Sequence, residues 1–241
     1  MILAVDQPNY IPWKGYFDLI HDVDLFVFYN DVQYTTRDWR SRNKIITPNG
    51  EKWLTIPAGS KRDRMIYEVK LDDDSWQKNH LETIRFAYGK SPFFKKYYPF
   101  FENVYLGRRW DYLFELDQYL ITEISREFLG IKTKFADSRD YPKTGAKHEK
   151  MLSLVKSVGD VEIYESGPAA KDYIIPDDYR KNGIKLAWKN YNGYPEYHQL
   201  SNSFTHQVSI IDLLFNVGDD SPYYIWGWRE DSDEPPYFLQ K

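Results

Sequence analysis

The sequence predicts an α/β fold: a mainly parallel open sheet with flanking helices, a β-hairpin and a helical insertion. The chain begins with a short apolar run, residues 2–5, that is typical of a buried strand. From residue 132 onward, apolar runs alternate with helical patterns at a spacing typical of right-handed parallel crossovers. Aromatic residues make up 18% of the 241 residues, which is enough to fill a substantial core.

The strands follow from short apolar or alternating runs between turn residues. Asn49-Gly50 favours a turn with positive φ, so the flanking runs 44–46 and 52–56 are predicted to form the β-hairpin. Residues 66–71 alternate in polarity and are predicted to form a half-exposed strand. The remaining predicted strands are residues 2–5, 24–29, 132–136, 161–165 and 184–188.

The helices follow from apolar stripes at three- or four-residue spacing. Trp76, His80 and Ile84 share such a stripe, which predicts a helix over residues 76–88 with one face toward the core. Pro99 is predicted to begin a short aromatic helix, because proline is tolerated in the first turn. The other predicted helices are residues 15–20, 99–105, 111–129, 146–158, 177–182 and 210–215, the last of them capped by Ser209.

These elements are predicted to form a single α/β domain over residues 1–230, with the helical insertion at about residues 75–129. No stretch of linker composition divides this region. From Asp231 the composition becomes acidic and contains proline, so residues 231–241 are predicted to form a separate tail.

Composition excludes several classes of protein. The chain has no cysteine, which excludes disulfides, thiolate catalysis and cysteine-ligated metals. A mean hydropathy of −0.66 and the lack of a long apolar run exclude a membrane span. The formal net charge of −4 argues against nucleic-acid binding. The first residues also lack the basic region of a secretory signal and reach a carboxylate at position 6, so we expect a strand there instead of a signal.

The standard phosphate-binding, dinucleotide-binding and hydrolase motifs are missing from the sequence. Its five histidines have no metal-ligand spacing, so we expect no metal site. Candidate functional residues are therefore chosen by their predicted position in the fold.

Polar residues directly follow the first two predicted strands. The first strand leads into a loop that carries Gln7, Tyr10 and Lys14, and the second leads into Asp31 and Gln33. Ligands bind outside the carboxyl ends of strands in open α/β sheets, so these side chains are candidates for the site. Alternatively, the loops only form turns, and their polar groups satisfy the loop backbone.

Three arginines and a tryptophan lie together at residues 37–43. Arginine binds phosphates through paired hydrogen bonds, and an indole face accepts a stacked base or a cation. Arg40, Arg42 and Asn43 are therefore candidates for binding a nucleotide or another anionic ligand. Alternatively, this is a solvated loop in which an arginine pairs with Asp38.

His80 is the candidate general base, because its stripe faces the body of the protein and a neutral imidazole accepts protons near neutral pH. It needs a carboxylate partner, for which Asp31 and Asp6 are candidates by position. Asp212 lies in an apolar helix turn, where a carboxylate needs hydrogen bonds or a cation, and it is a further candidate for binding or structure. Alternatively, His80 is a satisfied core residue.

Several short segments occur in a definite order over residues 1–218. They are Gln7-Pro8, Tyr10, Pro12, Gly15-Tyr16-Phe17, Asp31-Val32-Gln33, Arg42-Asn43, Trp53 to Pro57, Trp76, His80-Leu81, Ile84, Leu129 to Thr133, Ser166-Gly167 and Ser209 to Asp212. This ordered set resembles the WbqC-like protein family, which is encoded among genes for bacterial O-antigen and other unusual surface sugars. Asp6 is a departure, since the family often has Met or another neutral residue before Gln-Pro.

The resemblance implies a cytoplasmic step on a nucleotide-linked amino sugar, and N-acylation by an acyl-CoA such as acetyl-CoA is the expected reaction. The sugar amine would attack the thioester, with His80 accepting its proton and Asp31 orienting His80. Gln33, Asn43 or backbone N–H groups would stabilise the oxyanion, and the segment from Arg40 to Arg42 would hold a diphosphate. The expected partners are the sugar nucleotide and acyl-CoA, and a homodimer is left open.

Two other classes of function remain open. Another transferase of the same pathway, either aminoacyl or glycosyl, would act on a related acceptor. A noncatalytic protein would use its aromatic surface to bind glycans or a partner enzyme, because aromatic rings stack well on sugar faces.

Overall fold

A five-stranded parallel sheet lies at the centre of the fold in the computed structural model, which describes residues 1–201 and 203–231. The strands, including two that form a separate hairpin, are β1 (Ile2–Asp6), β2 (Leu25–Phe28), β3 (Arg42–Thr47), β4 (Gly50–Thr55), β5 (Lys134–Asp137), β6 (Ile163–Ser166) and β7 (Lys185–Trp188). The spatial order in the sheet is β5-β2-β1-β6-β7, and every neighbouring pair is parallel. The predicted α/β fold is therefore confirmed, as is the antiparallel hairpin of β3 and β4.

Helices cover both faces of the sheet. They are α1 (Lys14–His21), α2 (Ser75–Tyr88), α3 (Phe94–Leu106), α4 (Leu113–Glu123), α5 (His148–Val158), α6 (Pro176–Lys181) and α7 (Ile210–Val217). Leu3 of β1 belongs to the same buried cluster as Leu154 of α5, whereas Ala4 belongs to the cluster that contains Phe17 of α1. Successive side chains of a strand point to opposite faces, so β1 is covered on both sides.

The winding of the sheet changes direction at β1. Helix α1 leads from β1 to β2 on one side, while β6 pairs with β1 on the other. The connections therefore leave the carboxyl ends of β1 and β6 in opposite directions, which opens a crevice where α/β sheets of this kind bind ligands. Gln7 is the first residue to enter the loop at this point.

Helix α7 joins the helical insertion to the sheet. Phe215 is fully buried, and its ring stacks on Tyr88 of α2 at 5.1 Å and on Phe94 of α3 at 5.6 Å. Burying a side chain of this size contributes about 1.5–3 kcal/mol to stability. At the start of α7, the N–H of Ile210 donates to the carbonyl of Pro12 at 2.8 Å. The helix that anchors the insertion therefore also holds the loop after β1.

The strand predicted over residues 66–71 is wrong. The structure has a single 3₁₀ turn at Ile66–Glu68, flanked by isolated bridges from Met65 to Gln33 and from Lys70 to Tyr112. Ile66 and Val69 are fully buried. Side chains three residues apart eclipse each other in a 3₁₀ turn, so this spacing buries both without a strand ladder.

Two predicted helix boundaries also differ. Helix α3 begins at Phe94, and Pro99 lies inside it instead of at its start. Proline removes a hydrogen bond to the carbonyl four residues earlier, here that of Lys95, and both residues are on the exposed side where water can solvate that carbonyl. The helix predicted over residues 111–129 becomes a π-helix at Ile124–Phe128.

The predicted tail, residues 231–241, lies outside the described residues except for Asp231. The division into one domain over residues 1–230 stays a prediction, although α2, α3 and α4 do lie between the hairpin and β5 as the insertion requires. Within residues 1–201 and 203–231, no helix combines the length and the apolar character needed to cross a membrane.

Candidate functional site

The loop after β1, residues 7–13, folds against the arginine-containing segment, residues 37–43. The N–H of Tyr10 donates to the carbonyl of Trp39 at 2.9 Å. The amide nitrogen of Asn43 donates to the carbonyls of Tyr10 at 3.1 Å and Ile11 at 2.9 Å. The structure therefore brings together two segments that the sequence suggested separately. We call residues 7–13 the first loop and residues 37–43 the arginine segment.

The first loop contains a strained residue. Ile11 has a φ of +37°, which a β-branched side chain rarely adopts. The two hydrogen bonds from Asn43 to the carbonyls of residues 10 and 11 hold the backbone in this conformation. Strain of this kind persists where surrounding contacts impose it, and such contacts often occur at binding sites.

A cavity of about 310 Å³ opens between the first loop and the arginine segment. Its walls are formed by Asn9, Pro12, Trp13, Trp39, Asn43 and Gln207. Trp39 is 44% exposed, and Trp13 packs edge-on against Tyr191 at 5.1 Å. The Oδ1 atom of Asn9 is buried and has no hydrogen-bond partner. The cavity thus combines aromatic walls with an unused acceptor, a composition typical of small-molecule sites.

Gln7 and Arg40 contact each other beside this cavity. Nε of Arg40 donates to Oε1 of Gln7 at 2.6 Å, and one of its terminal nitrogens lies 2.7 Å from a carboxylate oxygen of Asp38. The pairing of an arginine with Asp38, which the sequence left open, is therefore present. Arg40 organises the first loop, and its charge is already balanced.

Arg42 has different surroundings. Its guanidinium carbon lies 4.3 Å from the centre of the Trp53 ring, and its Nε is buried without a hydrogen-bond partner. Trp53 in turn lies 5.5 Å from Trp39, measured between ring centres. Arg42 is therefore stacked on Trp53, which lies beside the cavity-wall residue Trp39.

Asp6 is the last residue of β1 and lies at the base of the first loop. Its Oδ1 accepts a hydrogen bond from the N–H of Gln7 at 2.7 Å. Burial raises the pKa of Asp6 to about 6, against the opposing effects of that N–H and of the Arg40 charge. Its charge in turn contributes to the raised pKa of Tyr191, which packs on the cavity wall. Burial thus brings the pKa of Asp6 closer to neutral pH than that of an exposed aspartate.

Lys14 lies behind the cavity and is 3% exposed. Its Nζ donates to the carbonyl of Pro195 at 3.2 Å and lies 4.9 Å from the centre of the Tyr194 ring. Desolvation lowers the pKa of Lys14 to about 8, although the charge of Asp18 opposes this. Desolvation and the Lys14 charge together lower the pKa of His206 to about 4. Lys14 is therefore buried, does not line the cavity and does not project into solvent.

His80 is enclosed by protein and is 6% exposed. Its Nε2 lies 3.2 Å from the carbonyl of Thr55, and its Nδ1 lies 2.8 Å from the hydroxyl of Tyr10. Tyr10 is itself fully buried and also hydrogen-bonds Tyr105. Desolvation lowers the pKa of His80 to about 4, with Thr55 opposing. Both ring nitrogens are therefore engaged, and Tyr10 is a core residue whose backbone, not its hydroxyl, supports the cavity.

Asp31 is engaged away from His80. Its Oδ2 lies 2.8 Å from Nζ of Lys143 and 3.4 Å from Nζ of Lys150, and Ser138 donates a hydrogen bond to Oδ1. Desolvation raises the pKa of Asp31, but these hydrogen bonds and lysine charges outweigh it, so that the pKa is lowered. No hydrogen bond or ion pair joins Asp31 to His80 in the part of the chain that the structure describes, so the expected pair is not formed.

The other two candidates are also separate from the cavity walls. Gln33 is exposed and donates to the carbonyl of Arg62 at 2.8 Å. Asp212 is fully buried and accepts hydrogen bonds from Tyr88 at 3.0 Å, Tyr197 at 2.8 Å and Gln199 at 2.8 Å. Desolvation raises the pKa of Asp212, and its three donors oppose this. Asp212 therefore ties α7 to its neighbours.

Sequence reasoning missed most of the cavity wall. The polar loop does reach the cavity, but through Asn9, Pro12 and Trp13 and not through the predicted residues Gln7, Tyr10 and Lys14. Gln207 gave no signal, because it lies far along the chain in an irregular segment before α7. In the described residues, no group of three or more His, Asp or Glu side chains is arranged to hold a metal ion.

Comparison with known proteins identifies the family of the chain. The model of the WbqC-like protein family matches residues 7–224. This chain belongs to the WbqC-like family. It is 39% identical over 225 residues to the uncharacterized protein Rv1507c of Mycobacterium tuberculosis (strain ATCC 25618 / H37Rv), a match that covers 92% of this chain and 96% of that protein. No solved structure matches the chain.

The WbqC-like match begins at Gln7, the first residue of the first loop, and extends beyond α7. All the residues that line the cavity lie inside the matched range. The cavity is therefore built from the part of the chain that carries the family resemblance, and the name of the family identifies no reaction by itself.

Proposed function

We propose that this WbqC-like protein is a cytoplasmic transferase that moves an acyl group from an acyl-CoA, such as acetyl-CoA, to the amine of a nucleotide-linked amino sugar. The product would serve surface polysaccharide synthesis, for example of O-antigen. The observation that carries the proposal is the cavity at the carboxyl end of β1, with its aromatic walls and its unpartnered Asn9 acceptor.

The cavity has the chemistry that a sugar ring requires. The apolar face of a sugar packs well on an indole, and Trp13 and Trp39 provide two such faces. A hydroxyl or amine of the sugar can donate to Oδ1 of Asn9, which supports binding because a buried acceptor without a partner costs about 1–3 kcal/mol. A volume of about 310 Å³ accommodates one sugar ring with a small acyl group, at the lower end of typical ligand sites.

Asp6 is the proposed general base. In the reaction the amine nitrogen bonds to the thioester carbonyl carbon and the carbon–sulfur bond breaks. The amine proton passes to Asp6 and from there to the departing CoA sulfur, which leaves as the thiol. A base is most effective when its pKa is close to the working pH, and the pKa of Asp6 is about 6. Asp6 directly precedes the first loop and has no ion-pair partner among the described residues; its Oδ1 accepts from the N–H of Gln7, so Oδ2 is the oxygen that would take the proton.

His80 and Asp31 take supporting roles in this proposal. His80 is hydrogen-bonded to Tyr10 and Thr55 through its two ring nitrogens, and Asp31 is ion-paired with two lysines, so both groups are already engaged by other residues. His80 would act on the reaction only through the first loop that it helps to hold. Much of the rate enhancement would then come from positioning amine and thioester together.

The proposal is tested by measuring thiol release and product mass with a panel of nucleotide-linked amino sugars and acyl-CoA donors. We expect turnover with at least one pair and a loss of at least about tenfold in Trp39→Ala, which removes a cavity wall. Phe86→Ala is the matched control, because Phe86 is an aromatic residue that is 61% exposed on α2. Aminoacyl and glycosyl donors in the same panel identify the alternative transferases, and transfer from those alone would overturn acyl transfer.

A noncatalytic glycan-binding role is the second candidate. The exposed pair of Trp39 and Trp53 favours it, since neighbouring indoles on a surface provide a platform for sugar rings. Binding of free oligosaccharides without turnover of any donor would support this candidate and contradict acyl transfer.

A further inference from the structure

An exposed aromatic surface adjoins the cavity on its outer side. Trp39 lines the cavity and is also 5.5 Å from Trp53 of the hairpin, measured between ring centres. Both indoles are exposed, by 44% and 39%. Large aromatic side chains that remain exposed side by side indicate a surface that binds something. We call Trp39, Trp53 and Arg42 the tryptophan–arginine platform.

The hairpin register places this platform next to the cavity. Arg42 is opposite Thr55 and Lys44 is opposite Trp53, so Arg42, Lys44 and Trp53 share one face of the hairpin. Asn43, between the two cations, points to the other face and lines the cavity. A ligand that leaves the cavity past Trp39 therefore meets the indole of Trp53 and the guanidinium of Arg42.

Among Arg40, Arg42 and Lys44, Arg42 alone lacks an ion-pair partner in the described residues. Arg40 lies 2.7 Å from Asp38, and Lys44 lies 2.7 Å from Glu51. Arg42 has no carboxylate within ion-pairing distance in residues 1–201 and 203–231, and its buried Nε lacks an acceptor. A guanidinium with unused donors, fixed in place by stacking on an indole, is suited to bind an oxygen anion such as a phosphate.

We propose that the tryptophan–arginine platform binds a phosphorylated nucleoside, with its base stacked on Trp39 or Trp53 and a phosphate on Arg42. This inference rests on the proposed function and assigns the nucleotide part of the ligand to named residues. Two sources could supply this chemistry: the nucleoside diphosphate of the sugar nucleotide, and the phosphoadenosine of acyl-CoA. Arg40 is excluded from the role because its charge is already paired.

Nucleotide binding by the wild-type protein and three variants tests the inference. The probes are UDP, dTDP, GDP and CoA, each titrated by calorimetry at low and high salt. Arg42→Gln should weaken binding by at least about tenfold and reduce its salt dependence, because one phosphate contact is lost. Arg42→Lys keeps the charge but loses the planar fork, so it should bind with intermediate affinity. Lys78→Gln is the control, because Lys78 is an exposed lysine of α2 outside the platform, and it should stay within about threefold of the wild type.

The outcomes separate the two sources and the two proposals. Loss confined to the nucleoside diphosphates, or confined to CoA, supports the platform and identifies its source. The inference is overturned if no probe binds the wild type, or if folded Arg42→Gln binds every probe unchanged. Acyl transfer is measured on the same variants. Turnover with an unchanged KM in Arg42→Gln would contradict nucleotide binding by the platform and leave the proposed reaction standing. Arg42-dependent nucleotide binding without turnover would support the platform and contradict the proposed reaction.

Discussion

The hydroxyl of Tyr10 lies 2.8 Å from Nδ1 of His80 and links helix α2 to the first loop. The carbonyl of Thr55 only accepts hydrogen bonds, so Nε2 of His80 carries the ring hydrogen and donates to it, while Nδ1 accepts from Tyr10. The lowered pKa of about 4 keeps the ring neutral in this arrangement. His80 therefore helps to hold the backbone that forms the cavity, and we propose that it acts in this way and not as the base.

Replacing His80 should reduce the stability of the fold more than the rate of the chemical step. In His80→Ala two buried hydrogen bonds are lost, which should lower the free energy of unfolding by about 1–3 kcal/mol. The pKa of His80 is lower in the folded protein than its unfolded value of 6.5. Its contribution to the free energy of unfolding is therefore complete above pH 6.5 and is lost as pH falls through about 4. The melting-temperature difference from wild type should therefore shrink toward acid pH.

The control for this prediction is His198→Ala, which removes an exposed histidine. It should change the melting temperature little at any pH. Where turnover is measured, His80→Ala should alter KM through the first loop and leave the pH profile of kcat in place. A His80 variant with wild-type stability and a lost basic group in its pH profile would restore His80 as the base.

Asp6 should determine how turnover falls on the acid side of the pH–rate profile. Protonated Asp6 cannot accept a proton, so wild-type turnover should fall as pH drops through about 6. Asp6→Asn should lose roughly 100-fold or more in turnover and lose this limb, because the carboxamide does not titrate. Asp72→Asn, at an exposed aspartate, is the control and should keep both rate and profile. An acid limb that survives in Asp6→Asn would assign the base to another residue.

Ionisation of Glu165 should lower the stability of the protein at alkaline pH. It lies in β6 and is 1% exposed, and its Oε1 has no hydrogen-bond partner. Burial raises its pKa from 4.5 to about 8, with Lys189 opposing and Asp22 and Asp18 adding to the effect. Because the pKa of Glu165 is raised in the folded protein, the contribution of its protonated form to the free energy of unfolding is complete below pH 4.5. This contribution is lost as pH rises through about 8.

Glu165→Gln keeps the shape of the side chain and remains neutral. Its melting temperature should be close to that of the wild type near about pH 5 and higher by roughly 4 °C or more near about pH 9. Calorimetry at both pH values checks this, with Glu196→Gln as the exposed control. An equal difference at the two pH values would show that the Glu165 carboxyl does not titrate in this range.

Gly218 should tolerate substitution less than Gly159. Both have positive φ, +70° and +78°, so alanine is strained at either position. A Cβ at Gly218 would also lie 2.3 Å from the Phe93 ring, whereas one at Gly159 would meet nothing within 4 Å. Gly218→Ala should therefore cost about 1–3 kcal/mol more in unfolding free energy than Gly159→Ala. Denaturant titration measures both, and equal losses would contradict the close contact with Phe93.

Local signals in the sequence predicted much of the fold. Asn49-Gly50 predicted the hairpin, and Gly50 does have a φ of +98°. Ser209 was predicted to cap α7, and its hydroxyl oxygen accepts from the N–H of Ile211 at 3.3 Å. The apolar stripe of α2 correctly predicted that His80 faces inward. These features depend on residues within one turn or one helix face, where spacing alone determines the outcome.

The site was less predictable because it depends on contacts between distant parts of the chain. Asn9 and Gln207 line one cavity although almost the whole chain separates them. Periodicity indicated that His80 faces inward, but it did not reveal that Tyr10 and Thr55 would engage both of its nitrogens. Asp31 was a candidate because it follows a strand. Lys143 and Lys150, which come later in the chain, form ion pairs with its carboxylate. Such partners follow from tertiary packing, which no local pattern encodes.

The central claim is that the cavity between the first loop and the arginine segment binds the sugar of a sugar nucleotide. A crystal structure of the protein with the nucleotide-linked amino sugar that binds most tightly in solution tests it most directly. The account predicts the sugar between Trp13 and Trp39, with a hydroxyl or amine within hydrogen-bonding distance of Oδ1 of Asn9 and a phosphate on Arg42. A ligand bound elsewhere on the sheet, with Trp39 still exposed and Asn9 still unpartnered, would contradict it.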